Sequence, residues 1–577
     1  MPVHTLCRAV LFISHVPSVM CFTAYLSTLA PEILELIIEH THASAHWPLA
    51  QTCKYIYLNS LPILDRHRKA CQEYRICSDL DPWTISKLLW SVFSDGAASI
   101  EAWHVREFEV WVERKEYESW GVNADTGERI LREDVKPRSL SRHEIDYFCT
   151  KMLKLPRFYG EHRDLIQAFR EPFEGGDSFI KAVVLAHLPR IQALRYAQFD
   201  DERRNESLTT LCGFIYWCKS AGTWLPGLNS LERVAVAIGL DRAGVEVDPP
   251  EYLRRHADEF CALLCLPNLA EVYFSHLDGG LPLMEQSTLF PEDIYIPSLA
   301  RTSSVKTIVL DMLEYELSDR LIEFVTSTPR RLENLAVRFR DNNYCEEDYP
   351  EIAERLIDQL AKHQGSSLQR LCIHDDRQDD TPADMNWRTP DQLRSFGDLR
   401  VANVSWKAIE ASLDLTKDDV RSRSRSELLD RLFEVFRCGL PATMEVITFG
   451  QFRFENDDPV FLQADWEETT DSDFGYVDDA VEVMITSRHY KNLKAVFLQD
   501  IQNQASYFYG CSLCFPKTMK AAESRGIHVY TRGSKPLPGL STNGEFVPFP
   551  RRDCMVTGQF EAEKRERLYC TKRRREF

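Results

Sequence analysis

The chain has 577 residues, of which 44% are apolar and 27% charged, a composition typical of a folded soluble protein rather than a disordered or fibrous one. Its 69 Lys and Arg residues stand against 88 Asp and Glu residues, which gives a formal net charge of −19. Because phosphate binding depends on clustered Lys and Arg, this charge argues against nucleic acid as the main partner.

Residues 1–25 form an N-terminal extension before the first predicted helix. Its apolar run is interrupted by His15 and Pro17, which argues against a cleaved secretion signal. No apolar run in the chain approaches the roughly 18–20 residues that a membrane span needs, so no membrane partner is expected. The 17 cysteines are scattered, mostly within apolar periodic segments, and reduced core thiols are their simplest interpretation. We therefore expect a cytoplasmic and/or nuclear location.

Residues 26–66 predict a small helical module. The segment LSTLAPEILELIIEH offers Ser27 and Thr28 as N-cap candidates, followed by Pro31 and Glu32 at the start of a helix. Proline suits the first turn because it lacks only a hydrogen that has no partner there, and Glu suits the positive end of the helix dipole. The apolar residues of this helix cover more than one face, so one side is available to a partner.

The connection HTHASAH leads into the second part of the module. We predict a short apolar turn at 47–49 and then a helix from about Gln51 to Asn59. Three short helices in some forty residues make a poor independent core, so such a unit usually needs a binding partner.

Three histidines precede Cys53 in this module, namely His40, His42 and His46, and they raise the question of a zinc site. His40 is predicted at a helix end and His42 follows two residues later. Their side chains should therefore diverge, unlike those of His pairs four residues apart on one helix face. We predict solvent-exposed loop histidines, with no metal and no cofactor.

Residues 67–175 are predicted as a helical linker with a charged insertion, and a repeated pattern emerges from about residue 100. An apolar residue is followed by further apolar residues three and five positions later. The last two alternate with a neighbour, as in a short strand with one buried face, and the first lies in the turn before the strand. A degenerate early copy begins at Val105, and a weak last copy contains Ile527 and Val529. The clear copies begin at Ile191, Leu231, Leu269, Val305, Leu332, Leu368, Leu399, Met444 and Leu493.

Helix-like segments lie between most of these strands, with apolar residues at three- and four-residue spacing. In EIAERLIDQLAKHQG, Gly365 is placed to end the helix. In SELLDRLFEVFRCGLP, Ser426 is a candidate N-cap, and Gly439 with Pro441 ends the helix. The repeating unit is therefore a helix, a turn and a strand.

Such a unit cannot bury its own apolar face, so neighbouring units must stack. Successive copies begin 27 to 49 residues apart, a longer and less even spacing than in a regular leucine-rich repeat. We predict an α/β fold in which an irregular leucine-rich-repeat-like α/β solenoid covers residues 176–535. An irregular α/β domain is the alternative. A basic tail follows at 536–577, and it is either a nuclear import signal or without specific function.

The segment LAPEILELI…WPLAQTCKYIY…LPIL resembles an F-box. Ala30 sets the proline one place later than in the commonest form of that pattern. An F-box followed by long degenerate repeats is similar to the fungal F-box proteins with leucine-rich-like repeats. The residues that fall on the F-box pattern are Leu29, Pro31, Glu32, Ile33, Ile37, Leu49, Cys53, Lys54 and Tyr57.

This resemblance implies that a three-helix F-box at 26–66 docks a Skp-type adaptor, which connects it to a cullin scaffold carrying a RING subunit and a ubiquitin-conjugating enzyme. The repeats would bind a protein substrate. The chain would then be the substrate-receptor subunit of an SCF-type ubiquitin ligase and would not itself be an enzyme. The implied adaptor-binding residues are Leu29, Pro31, Ile33, Ile37, Leu49, Cys53 and Tyr57.

Two other classes of function stay open. One is a non-catalytic repeat scaffold for protein–protein interaction, whose F-box-like helices only cap the solenoid. The other is an enzyme with a site among the strand-end loops or at the CxxC pair Cys511–Cys514, although one such pair is weak evidence for metal or redox chemistry. Common hydrolase, protease and nucleotide-binding motifs do not occur. The acidic segment 455–479, with ten Asp and Glu and no Lys or Arg, is either a lip for a basic substrate segment or a solubilising insertion.

Overall fold

The described residues of the computed structural model fall into two compact units. The first comprises those up to residue 239 together with Leu266–Asn268, and the second comprises 255–265 and those from Leu269 onward. Cys511, Cys514 and most of the acidic segment 455–479 lie outside the described residues. The structure describes residues 26–79, 82–111, 113–114, 147, 177–198, 206–239, 255–275, 277–278, 299–313, 318–339, 349–375, 390–406, 409, 424–450, 475–499 and 515–532.

The described part of the first unit begins with three helices. Pro31 and Glu32 occupy the first turn of the first helix, as predicted. Its N-cap is Ala30, and no side chain caps the helix, so the prediction of a cap at Ser27 or Thr28 is wrong. The helices are α1 (Pro31–His40), α2 (Ala43–Ala50) and α3 (Lys54–Tyr74).

The third helix is much longer than predicted. The helix expected at 51–59 instead begins at Lys54 and continues through Pro62 to Tyr74. Its buried residues are spaced by four, three, seven and four positions up to its last residue, so one face along the whole helix packs against neighbours. Residues 47–49, predicted as a turn, lie inside α2.

Four parallel strands form the sheet of the first unit, and each pairs with the strand before it in the chain. Two of them lie in residues 67–175, so the predicted helical linker contributes to this sheet. The predicted end of the module at residue 66 falls inside α3. The strands are β1 (Ile76–Ser78), β2 (Glu107–Val110), β3 (Ala193–Gln198) and β4 (Arg233–Gly239). The helices are α4 (Pro82–Phe93), α5 (Ile100–His104), α6 (Ser178–His187), α7 (Glu206–Ala221) and α8 (Pro226–Ser230), with a 3-10 turn at Gly96–Ser99.

The second unit is built on the same plan. A pair of short parallel strands, β5 (Arg255–His256) and β7 (Leu277–Asp278), stands apart from its main sheet. The order of the strands in the main sheet is their order in the chain, and all are parallel. They are β6 (Glu271–Ser275), β8 (Thr307–Leu313), β9 (Asn334–Phe339), β10 (Arg370–Asp375), β11 (Val401–Ser405), β12 (Val446–Gly450), β13 (Ala495–Gln499) and β14 (His528–Arg532).

Helices precede most of these strands. They are α9 (Ala257–Leu264), α10 (Asp319–Ser327), α11 (Tyr349–Gln364), α12 (Arg425–Gly439), α13 (Gly475–Thr486) and α14 (Pro516–Arg525), with a 3-10 turn at Pro390–Ser395. The predicted ends at Gly365 and Gly439 are confirmed. The N-cap of α12 is Ser424 rather than Ser426, because Ser424 and Glu427 form a reciprocal capping box. No helix within the described residues is both long and apolar enough to cross a membrane.

The pattern found in the sequence is the strand pattern of the structure. Every clear copy and both weak copies contribute a parallel strand, and the first apolar residue of each copy is buried in the turn before it. Equivalent positions of neighbouring copies also pair in register, as Leu335 does with Leu371 and Val337 with Ile373. The predicted α/β fold is therefore confirmed.

A shared backbone arrangement sets this register. The carbonyl of Glu333 accepts hydrogen bonds from the amides of both Gln369 and Arg370, at 2.8 and 3.0 Å. The carbonyl of Gln369 accepts in the same way from Arg400 and Val401, at 2.8 and 3.1 Å. Since one carbonyl satisfies two donors at the start of the next strand, a one-residue slip would lose both bonds and turn the apolar residues to the wrong face.

Candidate functional site

Helix α1 buries one face and exposes apolar side chains on another. Leu34 and Ile38 are buried, whereas Ile33 is 48% and Leu36 is 51% exposed. Ile33 and Leu36 are three residues apart, a spacing that places them on neighbouring positions of the helix surface. The helix therefore satisfies its own fold with one stripe and leaves a second apolar stripe uncovered.

Helices α2 and α3 show the same two-sided character. On α3, a buried stripe begins at Ile56, whereas Tyr57, Leu58 and Leu61 are 43%, 52% and 42% exposed. On α2, Trp47 is 58% exposed. An indole is the largest apolar side chain a protein has, and its exposure is costly unless a partner covers it.

These exposed side chains are concentrated rather than scattered. Of the eight large apolar residues that are markedly exposed in the described part of the chain, six lie on α1–α3, and α1 and α2 both pack on α3. The other two, Trp90 and Met519, lie on α4 and α14. We name the six the apolar helix surface, and they are Ile33, Leu36, Trp47, Tyr57, Leu58 and Leu61. Clustered exposed apolar residues mark interaction sites, whereas single ones are ordinary.

The predicted adaptor-binding residues all lie on α1–α3 or in the adjoining turns, but their exposure differs. Three are exposed, namely Pro31, Ile33 and Tyr57. Four are half-buried, namely Leu29, Ile37, Leu49 and Cys53. The structure thus presents the first three to solvent and turns the other four partly into the module.

Four members of the apolar helix surface are not predicted from the sequence. They are Leu36, Trp47, Leu58 and Leu61. Helical spacing from residues already chosen identifies two of them, since Leu36 follows Ile33 by three positions and Leu61 follows Tyr57 by four. Leu58 adjoins Tyr57 on the same stripe. Trp47 has no such signal, because it was placed in a turn.

His40 and His42 are exposed, as predicted, whereas His46 is not. His46 is fully buried in α2, and the prediction of a solvent-exposed loop histidine is wrong for it. His42 is the N-cap of α2, with its Nδ1 accepting from the amide of Ser44 at 3.2 Å. His40 is exposed at the last residue of α1. Among the described residues, no group of three or more His, Cys, Asp or Glu could hold a metal ion.

Instead, His46 begins a chain of three imidazoles. Its Nε2 lies 2.9 Å from the carbonyl oxygen of Ile38, and its Nδ1 lies 2.8 Å from Nε2 of His67 on α3. Nδ1 of His67 lies 2.8 Å from Nε2 of His104 on α5. The chain therefore connects the second helix of the module to a helix that follows it in the sequence.

Burial lowers the pKa of all three imidazoles. It is the largest cause for His46, His67 and His104, and it brings the pKa of His67, which lies between the other two rings, to about 4. At neutral pH each group therefore favours its neutral form in the folded protein.

A glycine holds the 3-10 turn against the end of α1. Gly96 has a φ of +63°, and a Cβ placed there would overlap the carbonyl oxygen of Glu39. Only glycine combines the left-handed conformation with this close approach at little cost. The position of α1, and with it Ile33 and Leu36, therefore depends on the turn before α5.

A second polar cluster lies just beyond the carboxyl ends of β1 and β2, where ligands often bind in parallel sheets. Arg114 pairs with Asp177 at 3.1 Å, and Lys181 lies 2.9 Å from the same Asp177 oxygen. Glu113 accepts from the amides of Glu206 and Ser207 at 2.7 and 2.8 Å, which caps α7. These side chains are buried, and burial raises the pKa of the Glu113 carboxyl. The cluster joins the ends of two strands to two helices rather than presenting a group to solvent.

Together, these features define an α/β protein of helix–strand repeats, with a concentrated apolar surface on the first three described helices. No protein-family model matches the sequence, and a search of curated proteins finds no significant match.

Proposed function

We propose that the chain is the substrate-receptor subunit of an SCF-type ubiquitin ligase. Helices α1–α3 act as an F-box that docks a Skp-type adaptor, and the adaptor connects the chain to a cullin scaffold. The helix–strand repeats form a leucine-rich-repeat-like solenoid that binds a protein substrate. In this proposal the chain positions the substrate and performs no chemistry itself.

The observation that carries this proposal is the apolar helix surface. The segment that resembles an F-box is also the segment that holds six of the eight markedly exposed large apolar residues in the described chain. Two of the six, Ile33 and Tyr57, fall on the F-box pattern itself. Interface energy is usually concentrated in a few such apolar and aromatic side chains, which fill pockets of the partner.

Purified Skp-type adaptor provides the direct test. Ile33→Ala and Tyr57→Ala should each weaken binding by about thirtyfold, since truncation of a central interface side chain typically costs about 2 kcal/mol. Both residues are nearly half exposed, so the melting temperature of the free protein should change little. Met519→Ala is the matched control, because Met519 is 53% exposed but lies on α14. Equal adaptor affinity for all three variants and the wild type would reject the docking assignment.

The second candidate is a non-catalytic repeat scaffold in which α1–α3 only cap the sheet. One observation favours it: α3 continues without a break from the module to β1, and Arg66 on α3 pairs with Glu101 on α5 at 2.8 Å. However, a cap needs only one apolar face, and the second apolar face of α1–α3 has no role in a cap. Adaptor titration separates the two candidates, because a cap has no affinity for the adaptor.

A further inference from the structure

The His46–His67–His104 chain connects α2, α3 and α5 through contacts between ring nitrogens. Adjacent rings have centroids 5.0 Å apart and planes at 75° and 76°, so each N–H points along its neighbour's lone pair. The direction of the chain is set at one end. The Ile38 carbonyl can only accept, so Nε2 of His46 carries a proton. When all three rings are neutral, His67 then donates to His46, and His104 donates to His67.

Counting protons shows how much charge this chain tolerates. One added proton on Nδ1 of His104 leaves every contact intact, and the tautomers can shift so that His67 or His46 carries the charge instead. No placement of the protons keeps every contact intact once a second proton is added. Wherever two cationic rings are placed among the three, at least one contact brings two N–H groups face to face.

The neighbouring cations also oppose protonation, whereas the carbonyls of Ile38 and Thr41 favour it for His46 and Glu101 favours it for His104. Arg66 is paired with Glu101, so the carboxylate is already engaged by a cation. Arg190 lies over the ring of Trp103, with its guanidinium carbon 4.7 Å from the ring centroid. The charged or titratable groups that act on the three histidines are His42 and Arg66 around His46, Arg66 around His67, and Glu101, Arg106 and Arg190 around His104.

We propose that the His46–His67–His104 chain is a proton-sensitive latch, which holds α2 against α3 and α5 at neutral pH and releases it on acidification. The inference about binding rests on the proposed function, since α2 carries Trp47 of the apolar helix surface. Release of α2 would move Trp47 relative to α3, which carries Tyr57, Leu58 and Leu61, and adaptor docking would then require neutral pH.

The direction of the pH effect follows from linkage. The unfolded histidines have a pKa near 6.5, and the folded ones lie below it. The open state therefore binds more protons than the closed state once the pH falls below about 6.5. The stabilising effect of the latch is complete above that pH and is lost as the pH falls toward the folded values. Each proton taken up on opening shifts the equilibrium by up to about tenfold per pH unit.

Hydrogen exchange of the full-length protein tests the latch without any partner. Amide protection factors across Ala43–Ala50 should fall by at least about tenfold between pH 7 and pH 5, while those of β9 stay constant. His67→Gln keeps one donor and one acceptor but takes no proton itself, so opening takes up one proton fewer and the fall should be at least about threefold smaller than in the wild type. His40→Gln, which changes an exposed histidine of the same module, should behave as the wild type. A fall in His67→Gln as large as that of the wild type, or no fall in the wild type, overturns the proposal.

A titration of the wild-type imidazole resonances covers the case in which His67→Gln does not fold. The latch requires that no second proton enters the chain before α2 loses its protection. Two of the three rings titrating independently near pH 6.5 in the protected state would overturn it. Adaptor capture at pH 7.5 and 5.5 tests the effect on binding. The decrease in captured adaptor at the lower pH should be smaller for His67→Gln than for His40→Gln. If the adaptor binds at neither pH, the proposed function fails, and the exchange result still decides the latch.

Discussion

The ammonium of Lys181 lies 2.8 Å from a carboxylate oxygen of Asp79, and both side chains are fully buried. Asp79 follows β1 directly and also accepts a hydrogen bond from the amide of Trp111 at 2.7 Å. Lys181, on α6, is desolvated yet surrounded by carboxylates, so its pKa is raised despite burial. This ion pair connects the edge of the first sheet to a helix more than a hundred positions later in the chain.

Removal of that cation should therefore strongly destabilise the first unit. Lys181→Met leaves the charges of Asp79 and Asp177 buried without their shared ammonium, which should lower the free energy of unfolding of the first unit by about 3–5 kcal/mol. The matched control is Lys87→Met, because Lys87 is 56% exposed and lies 3.9 Å from an exposed Glu73. That change should cost less than about 1 kcal/mol. Urea titration followed by exchange of the β2 and β3 amides gives both values, and equal losses would contradict a structural ion pair.

Gly96 and Gly222 allow close approach and backbone strain to be measured separately. Both have a φ of +63°, but a Cβ at Gly222 would meet nothing within 4 Å, whereas one at Gly96 would overlap Glu39. Gly222→Ala should cost about 1–2 kcal/mol for the left-handed conformation alone. Gly96→Ala should cost clearly more and should lower amide protection in α1. Thermal unfolding and exchange across Pro31–His40 check this, and similar losses in the two variants would show that α1 does not depend on the turn.

Much of the fold could be predicted because one short pattern carries two kinds of information. The residues three and five positions after the anchor define the strand, and their alignment between copies defines the register, as Ala402 pairing with Ile447 shows. β1 was not predicted because a three-residue strand is too short for a period of two to be visible. The full length of α3 was not predicted because Pro62 suggests the end of a helix. The helix in fact has buried residues on both sides of Pro62.

The site could be predicted only in part, for a different reason. The F-box pattern selects the segment, but it does not say which face of each helix the rest of the chain covers. Ile37 matches the pattern and is half-buried, whereas Leu36 beside it is 51% exposed. The sequence around His46 indicates a loop residue. Its burial depends on a contact with His67, which in turn contacts His104, and both lie far along the sequence. Such contacts arise from tertiary packing and leave no local signal.

Trp47 is the member of the apolar helix surface that lies on α2, so its substitution tests whether α2 belongs to the docking surface. Trp47→Ala should weaken binding of the Skp-type adaptor by about thirtyfold if the adaptor covers α2, because an indole buried by a partner is a typical hot spot. Trp90→Ala is the matched control, an exposed tryptophan on α4 of the same unit, and its affinity should stay within about threefold of the wild type. Calorimetric titration at pH 7.5 measures both. If Ile33→Ala weakens binding while Trp47→Ala does not, the adaptor contacts α1 and α3 alone, and release of α2 by acid would then leave docking unchanged.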